Sequence, residues 1–200
     1  MNPAVHEWVL ASRNAKKLAE MTTLLAPLGL RLRLVSEFTD EAAEEPAPSF
    51  VENALLKARH AARVSGLPAI ADDSGIEVDA LRGRPGVHSA RYAGEPASDE
   101  RNNRKLVQEL TGVAEVDRGA RFVCVMVGLR HADDPVPLIA QGIWRGRILA
   151  SPRGAQGFGY DPLFFVPELG CSSAELPAEQ KNRFSHRAQA AQMLLGLLQA

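Results

Sequence analysis

Two adjacent carboxylates, Asp72 and Asp73, follow the apolar run Ala69-Ile70-Ala71 and are the first candidates for chemistry in this 200-residue sequence. The run predicts a buried strand, and α/β proteins bind ligands at the ends of such strands. Hard cations such as Mg²⁺ take one or two carboxylates from a protein, and their other ligands are water and phosphate oxygens. The alternative for Asp72-Asp73-Ser74-Gly75 is a plain turn, because Asp and Gly are favoured in turns without any ligand.

An acidic segment offers a second carboxylate. From Leu34 to Leu56 the sequence has no Lys or Arg, although it has six acidic residues. If Glu44 or Glu45 approaches Asp73, the two carboxylates can hold Mg²⁺ beside phosphate groups.

The turn Ser12-Arg13-Asn14-Ala15-Lys16-Lys17 is a candidate phosphate site. It joins a predicted strand, Trp8 to Ser12, to a predicted helix, and a helix N-terminus carries free N–H groups and a partial positive charge. Lys16 and Lys17 add full positive charges to that end. The alternative is that Asn14 only caps the helix and that both lysines are solvated.

Two later segments have the groups needed to recognise a base. The segment Gly157-Phe158-Gly159-Tyr160-Asp161-Pro162 carries rings that can stack on a purine and a carboxylate that can accept from a base N–H. The alternative is that the rings of Phe158 and Tyr160 belong to the core. The second segment supplies donors suited to carbonyl or phosphate oxygens, namely Lys181, His186 and Arg187.

Hydrophobic periodicity predicts the elements that position these residues. Strands and helices alternate in the first half and strands cluster in the middle, which predicts an α/β fold with a mixed sheet. Ser49 and Glu52 have capping-box spacing, so a helix should run from Phe50 to Gly66. The other predicted elements are a helix from Asn14 to Gly29, a strand from Leu30 to Leu34, a helix opened by Ser98, strands from Arg121 to Leu129 and from Pro137 to Arg147 with a turn inside the second, a strand from Leu163 to Val166, and a last helix capped by Ser185.

Composition and charge argue against several classes of protein. The 23 Lys and Arg nearly balance the 24 Asp and Glu, which argues against a general nucleic-acid coat. The longest apolar run, Phe122 to Leu129, is much shorter than the ~20 residues of a membrane helix, and the first residues lack a secretory pattern. Cys124 and Cys171 show no metal-ligand spacing, so we expect two free thiols in a cytoplasmic protein without membrane or nucleic-acid partners.

Five motifs occur in chain order: Ser12-x-Asn14-x-x-Lys17, Phe50-x-Glu52-Asn53-Ala54-x-x-Lys57-Ala58, Ala71-Asp72-Asp73-Ser74-Gly75, Phe158-Gly159-Tyr160-Asp161 and Ser185-His186-Arg187. Together they resemble the inosine/xanthosine triphosphate pyrophosphatase family, whose members remove noncanonical purine nucleotides. Each motif is weak alone, but five in this order are specific. One departure is Arg13, which stands where the family's Thr-Gly-Asn has glycine, and a positive φ at Arg13 would cost about 1–2 kcal/mol.

The resemblance implies a Mg²⁺-dependent hydrolysis of ITP, dITP and XTP to the nucleoside monophosphate and pyrophosphate. It implies a homodimer in which residues 1–200 form a single catalytic domain: an elongated mixed β-sheet flanked by helices, with two lobes and the active site in the cleft between them. Asp73 is then the proton acceptor, and Glu45 and Asp73 are the metal ligands. The implied substrate contacts are Ser12, Arg13, Asn14, Ala15, Lys16, Lys17, Lys57, Ser74, Phe158, Gly159, Tyr160, Asp161, Lys181, His186 and Arg187.

Two other functions remain open from the sequence. A Maf-like pyrophosphatase would act on other modified nucleotides, and a noncatalytic sensor would bind nucleotides tightly without turnover. The acidic segment paired with Asp72-Asp73 argues against a sensor, because a sensor has little need of a metal-held attacking water.

Overall fold

The computed structural model of the protein describes residues 7–200, which form seven β-strands and five α-helices linked by loops and short 3-10 helices. The strands are β1 (Glu7–Leu10), β2 (Arg31–Leu34), β3 (Ala69–Val78), β4 (Gly119–Leu129), β5 (Leu138–Ile148), β6 (Phe164–Val166) and β7 (Cys171–Ser172). The helices are α1 (Ala15–Leu24), α2 (Phe50–Ser65), α3 (Asp99–Glu109), α4 (Ala178–Phe184) and α5 (His186–Gln199). None of the helices in this part of the chain is long and apolar enough to span a membrane.

The strands form one mixed sheet in the order β2-β1-β3-β4-β5-β6-β7. Strand β1 is parallel to both β2 and β3, whereas β6 is antiparallel to both β5 and β7. The α/β fold with a mixed sheet, predicted from the order of the elements, is therefore confirmed.

The chain divides into two compact units. The first takes in the chain up to Asp73, Cys124–Gly142 and Arg187–Ala200, and the second takes in Ser74–Val123 and Ile143–His186. The boundary falls inside β3, β4 and β5, so each of these strands contributes residues to both units.

The core of the first unit is organised by the period of two along its strands. Leu10 of β1 and Ile70 of β3 pack in one apolar cluster with α1 and α5. Val9 and Ala69, one position earlier, pack in another cluster with α2. The alternation continues to the two carboxylates. Asp72 lies on the same face of β3 as Ile70 and points toward α1 and α5, whereas Asp73 lies on the same face as Ala69 and points toward α2.

The second unit has its own apolar core. It contains Ile76 and Val78 of β3, Leu106 of α3 and a group of aromatic rings. The Phe164 ring lies 4.5 Å from Phe122 and 5.3 Å from Trp144, measured between centroids. Aromatic pairs at this separation are favourable beyond the area that they bury.

Three predicted helix starts are confirmed by their caps. The side chains of Asn14, Ser49 and Ser98 each accept a hydrogen bond from a backbone N–H of the first turn that follows. The capping box at Ser49 is only half formed, because the Glu52 carboxylate accepts the Ser49 hydroxyl rather than the Ser49 backbone N–H.

Two predictions about strands are wrong. Strand β3 does not end at Asp72-Asp73 as predicted, and the alternative of a plain turn through Ser74-Gly75 is wrong as well. The strand continues to Val78, because both carboxylates have cationic partners and Ile76 and Val78 are buried. Strand β5 has no internal turn. Its Gly146 lies against the Phe164 ring and the Phe165 carbonyl, where a Cβ would clash, so this glycine permits close packing within a strand.

Helix α4, which carries Lys181, has no counterpart among the predicted elements. None of its residues is buried, so it has no apolar stripe from which a helix could be recognised.

Candidate active site

The turn between β1 and α1 is organised by its own side chains. The Ser12 hydroxyl accepts the Asn14 N–H at 3.1 Å, and the Asn14 side-chain oxygen accepts the N–H groups of Lys16 and Lys17 at 2.9 and 3.3 Å. Asn14 therefore caps the helix, as the alternative interpretation of this turn proposed. Two N–H groups of the first helical turn are already bonded to its side chain. Lys16 is exposed, whereas Lys17 turns inward.

Arg13 fits the turn without backbone strain. Among residues 7–200, Arg82 is the one non-glycine residue with a positive φ, so the backbone at Arg13 does not require glycine. Its exposed guanidinium donates to the Thr39 carbonyl oxygen at 3.2 Å. Arg13 thus ties this turn to the start of the acidic segment.

Asp72 lies within a buried chain of ion pairs. Its carboxylate is 2.6 Å from the Lys17 ammonium and 3.6 Å from the Arg187 guanidinium, which in turn lies 3.1 Å from Glu20. Asp72 is 1% exposed and Arg187 is 5% exposed. Burial raises the pKa of the Asp72 carboxyl, but Lys17 and Arg187 outweigh burial and hold the pKa well below its ordinary value. Asp72 is therefore a permanent anion that anchors Lys17 and Arg187.

Asp73 has a different partner and a different electrostatic setting. The Lys57 ammonium donates to its Oδ1 at 2.7 Å and lies 3.6 Å from Glu45. Burial raises the pKa of the Asp73 carboxyl above its ordinary value; Lys57 opposes this rise, and Glu45 and Asp72 add to it. Asp73 is thus a stronger base than an exposed aspartate.

Glu45, rather than the exposed Glu44, is the acidic residue that reaches Lys57. Helix α2 holds the segment in place through Asn53, whose amide accepts the Ala47 N–H at 3.0 Å and donates to the Ala47 carbonyl at 3.1 Å. Asn53 is 2% exposed, so this contact is shielded from water. The position of Glu45 is therefore set two residues away, at Ala47.

A cavity of about 250 Å³ lies in the first unit beside these groups. The turn from Ser12 to Lys17, the acidic segment and helix α2 all contribute residues to its wall. The charged and polar residues that line it are Ser12, Arg13, Lys17, Glu41, Glu45, Lys57 and His60. A pocket with this mixture of cations and carboxylates suits a metal-bound phosphate group better than an apolar ligand.

The carboxylates here fit a divalent metal. Oδ2 of Asp73 is buried and has no hydrogen-bond partner within residues 7–200, and Glu45 faces the same ammonium as Asp73. The described residues contain no cluster of three or more His, Cys, Asp or Glu side chains arranged for a metal. Mg²⁺ does not need one, because it is commonly held by one or two carboxylates together with water and substrate phosphates.

The second unit contains the loop from Gly157 to Asp161, which is built around the Asp161 carboxylate. Asp161 is 2% exposed and accepts from the Phe158 N–H at 2.9 Å, the Ser173 hydroxyl at 2.8 Å and the Lys181 ammonium at 2.5 Å. The Lys181 ammonium also lies 5.5 Å from the Phe158 ring centroid, and Phe158 is 46% exposed. Asp161, Lys181 and the half-exposed Phe158 therefore come together, as expected for a base site.

Two other predicted contacts are buried. Tyr160 is 4% exposed and donates its hydroxyl to the Ser89 carbonyl at 2.8 Å, so its ring is part of the core. His186 is 5% exposed and stacks on Phe122 with 4.7 Å between centroids. Ser74 follows Asp73 on β3 at a half-buried position.

Sequence reasoning missed four residues that shape these clusters. Glu20 follows Lys17 by three positions, a helical spacing that places both on one face of α1. His60 has the same spacing from Lys57 on α2 and lines the same cavity. Asp99 and Asn103 of α3 bond the Gly159 backbone, and the sequence carries no signal of that contact.

Two polar clusters lie on this α/β fold. In one, Asp72 and Asp73 of β3 are paired with Lys17 and Lys57, and in the other a polar loop surrounds the buried Asp161. The model of the Ham1 family matches residues 8–197. The chain belongs to the Ham1 family.

Curated relatives and solved structures agree with this assignment. The chain is 63% identical over 190 residues to the dITP/XTP pyrophosphatase of Aromatoleum aromaticum, covering 95% of each chain. It is 55% identical to that of Pseudomonas aeruginosa, again over 95% of each chain. The structure of a HAM1 protein from Coxiella burnetii matches with a TM-score of 0.90 and 47% identity, covering 96% of this chain and 98% of that one.

Proposed function

We propose that this protein hydrolyses the noncanonical purine nucleotides ITP, dITP and XTP to the monophosphate and pyrophosphate. The observation that supports it most directly is Asp73, whose Oδ1 lies 2.7 Å from the Lys57 ammonium that Glu45 also faces, and whose Oδ2 is buried without a hydrogen-bond partner within residues 7–200. The curated relatives at 52–63% identity are named dITP/XTP pyrophosphatases, which favours this activity over that of a Maf-like enzyme.

In the proposed reaction, Asp73 accepts a proton from the attacking water. The water oxygen bonds to the α-phosphorus, the bond from that phosphorus to the bridging oxygen breaks, and pyrophosphate leaves with the bond electrons. The raised pKa of Asp73 brings its basicity closer to neutral pH, where a general base works best. Lys57 holds Asp73 in place and adds positive charge near the developing negative charge.

Glu45 and Asp73 would hold Mg²⁺, which supplies positive charge that neutralises phosphate oxygens. Ser12, Arg13, Asn14, Ala15, Lys16 and Lys17 would bind the phosphates, with Lys17 anchored by Asp72. Ser74 and Lys57 would contact the sugar and phosphates.

The loop of the second unit would read the base. Phe158 offers a ring on the loop that Gly159 continues, and Lys181 keeps donors beyond the one used by Asp161. Hypoxanthine and xanthine carry a carbonyl where adenine has an amino group, so a donor from Lys181 pairs with the first two and not with adenine. Tyr160, Asp161 and His186, which are buried in the second unit, would support this loop, and Arg187, which pairs with Asp72 and Glu20 in the first unit, would contact the remaining part of the substrate.

Pyrophosphate release from ITP, dITP, XTP, ATP, GTP and dTTP tests the proposal. We expect turnover mainly of ITP, dITP and XTP, and loss of turnover when EDTA removes the metal. Asp73→Asn should abolish turnover and leave nucleotide binding measurable, while the matched variant Asp133→Asn, at an exposed loop position, should behave like wild type. Release mainly from dTTP would favour a Maf-like enzyme, and tight binding without release would favour a sensor.

We also propose that the protein is a cytoplasmic homodimer. This rests on the family resemblance described from the sequence. Light scattering of the purified protein should give twice the mass of 21.6 kDa, and a monomer would contradict the proposal.

A further inference from the structure

Side chains of helix α3 form hydrogen bonds with the backbone of the loop that carries Phe158. The Gly159 N–H donates to Oδ2 of Asp99 at 2.7 Å, and the Gly159 carbonyl accepts from Nδ2 of Asn103 at 2.8 Å. Asp99 and Asn103 are four residues apart, so they lie on one face of α3. Both polar groups of a single loop residue are therefore bonded by one helix, and we call this pair of contacts the α3 clamp.

The clamp restricts the residue before it as well. The Phe158 N–H is bonded to Asp161, so the backbone on both sides of the Phe158 ring is fixed by side chains. The ring itself remains 46% exposed. An exposed ring on a fixed backbone is preorganised for stacking, because binding then does not have to order the loop residue that carries it.

Asn103 holds this position at a local disadvantage. Its Oδ1 is buried and has no hydrogen-bond partner among residues 7–200, although its Nδ2 is bonded to Gly159. A buried acceptor without a donor destabilises the folded protein, and an apolar side chain of similar size would avoid that penalty. The contact with Gly159 is the one interaction of the amide that explains its presence.

We propose that Asp99 and Asn103 are positioning residues that set base selectivity: by fixing the Phe158 ring they hold a stacked base where its carbonyl meets the Lys181 ammonium, which lies 5.5 Å from that ring. This inference rests on the proposed nucleotide hydrolysis. Neither residue touches the base; each acts through the Gly159 backbone.

The test compares Asn103→Leu with the wild-type protein and with Arg104→Leu, a control on the exposed side of α3 whose partner is Glu100. In Asn103→Leu the Gly159 N–H keeps its Asp99 acceptor, so we expect its hydrogen exchange to rise by about tenfold or more through more frequent opening of the loop. We expect the ratio of kcat/KM for ITP to that for ATP to fall by about tenfold, mainly through a higher KM for ITP. Asn103→Leu removes the unsatisfied Oδ1 and also the Nδ2 bond to the Gly159 carbonyl, so the two effects oppose each other and the urea midpoint should stay close to the wild-type value.

Pyrophosphate serves as the probe without a base. Its inhibition constant should stay at the wild-type value in Asn103→Leu, since a positioning role at the base loop does not reach the phosphate site. Asp99→Asn keeps an acceptor for the Gly159 N–H and should retain selectivity, whereas Asp99→Leu should lose it.

Unchanged selectivity in an Asn103→Leu protein with faster Gly159 exchange would overturn the proposal and leave the clamp a purely structural contact. Unchanged exchange would overturn it as well. Equal losses for ITP, ATP and pyrophosphate would indicate general damage and also contradict it. If the wild-type protein released no pyrophosphate from ITP, the proposed function itself would fail, which is a different result from an active enzyme with unaltered selectivity.

Discussion

Lys57 and Asp73 form a buried ion pair, with 2.7 Å between Nζ and Oδ1, that joins helix α2 to strand β3. Burial lowers the pKa of the Lys57 ammonium, but Asp73 and Glu45 outweigh this effect and the pKa is raised above its ordinary value. Lys57 therefore stays charged and lowers the pKa that Asp73 would otherwise have. The pair controls how basic the proposed proton acceptor is.

Lys57→Met should move the acid limb of the pH–rate profile to higher pH. Without the ammonium, one positive charge that opposes burial, Glu45 and Asp72 is gone, so at a fixed Mg²⁺ concentration the pKa of Asp73 rises and its carboxylate is protonated over a wider pH range. The measurement is kcat/KM for ITP against pH. Arg63→Met, at an exposed position of the same helix, is the control and should keep the wild-type profile. An acid limb at the same pH in Lys57→Met would show that the pair does not tune Asp73.

Asp72→Asn should weaken the fold most at neutral pH. The folded-state pKa of Asp72 is lowered from 3.8, so its carboxylate stabilises the fold above that pH, and the contribution is lost as the pH falls. The substitution leaves Lys17 and Arg187 without their shared anion, a change that costs about 3–5 kcal/mol for a buried pair. Urea unfolding of the metal-free protein at about pH 7 and about pH 3 measures both effects. The gap to wild type should narrow at the lower pH, and a constant gap would contradict the assigned role.

Gly157→Ala should be far more damaging than Gly159→Ala. Both glycines have positive φ, 78° and 62°, so each substitution strains the backbone by about 1–2 kcal/mol. A Cβ at Gly157 would also overlap Oδ2 of Asp161, whereas a Cβ at Gly159 meets no atom within 4 Å. Thermal unfolding and the affinity for ITP should separate the two variants. Equal effects would mean that the Asp161 network tolerates displacement.

Arg13→Gly should change binding more than stability. The variant loses an exposed hydrogen bond to Thr39 and gains freedom in the unfolded state, so it should lose about 1 kcal/mol or less. If Arg13 contacts the phosphates, the KM for ITP should rise several-fold at nearly constant kcat. An unchanged KM would remove Arg13 from the binding site, and a lower kcat would assign it to the chemical step.

Local signals in the sequence predicted most elements correctly. The caps at Asn14, Ser49 and Ser98 were recognisable because a capping side chain bonds within three residues of itself. Helix α4 was missed because it buries no residue, and the continuation of β3 was missed because its charges are satisfied by distant lysines. A charged side chain is unfavourable on a buried strand unless it has a partner of opposite charge. Here the fold supplies those partners.

The sequence by itself determined the fold class, the family and most of the polar residues of the Asp72-Asp73 site and of the Asp161 loop. Only the tertiary structure decided their partners: Lys17 with Asp72, Lys57 with Asp73 and Asn103 with Gly159. The reason is that residue types and spacing act along the chain, whereas an ion pair or a hydrogen bond depends on which elements the hydrophobic core brings together. The period of two on β3 is the link between these levels, because it sends Asp72 toward α1 and α5 and Asp73 toward α2.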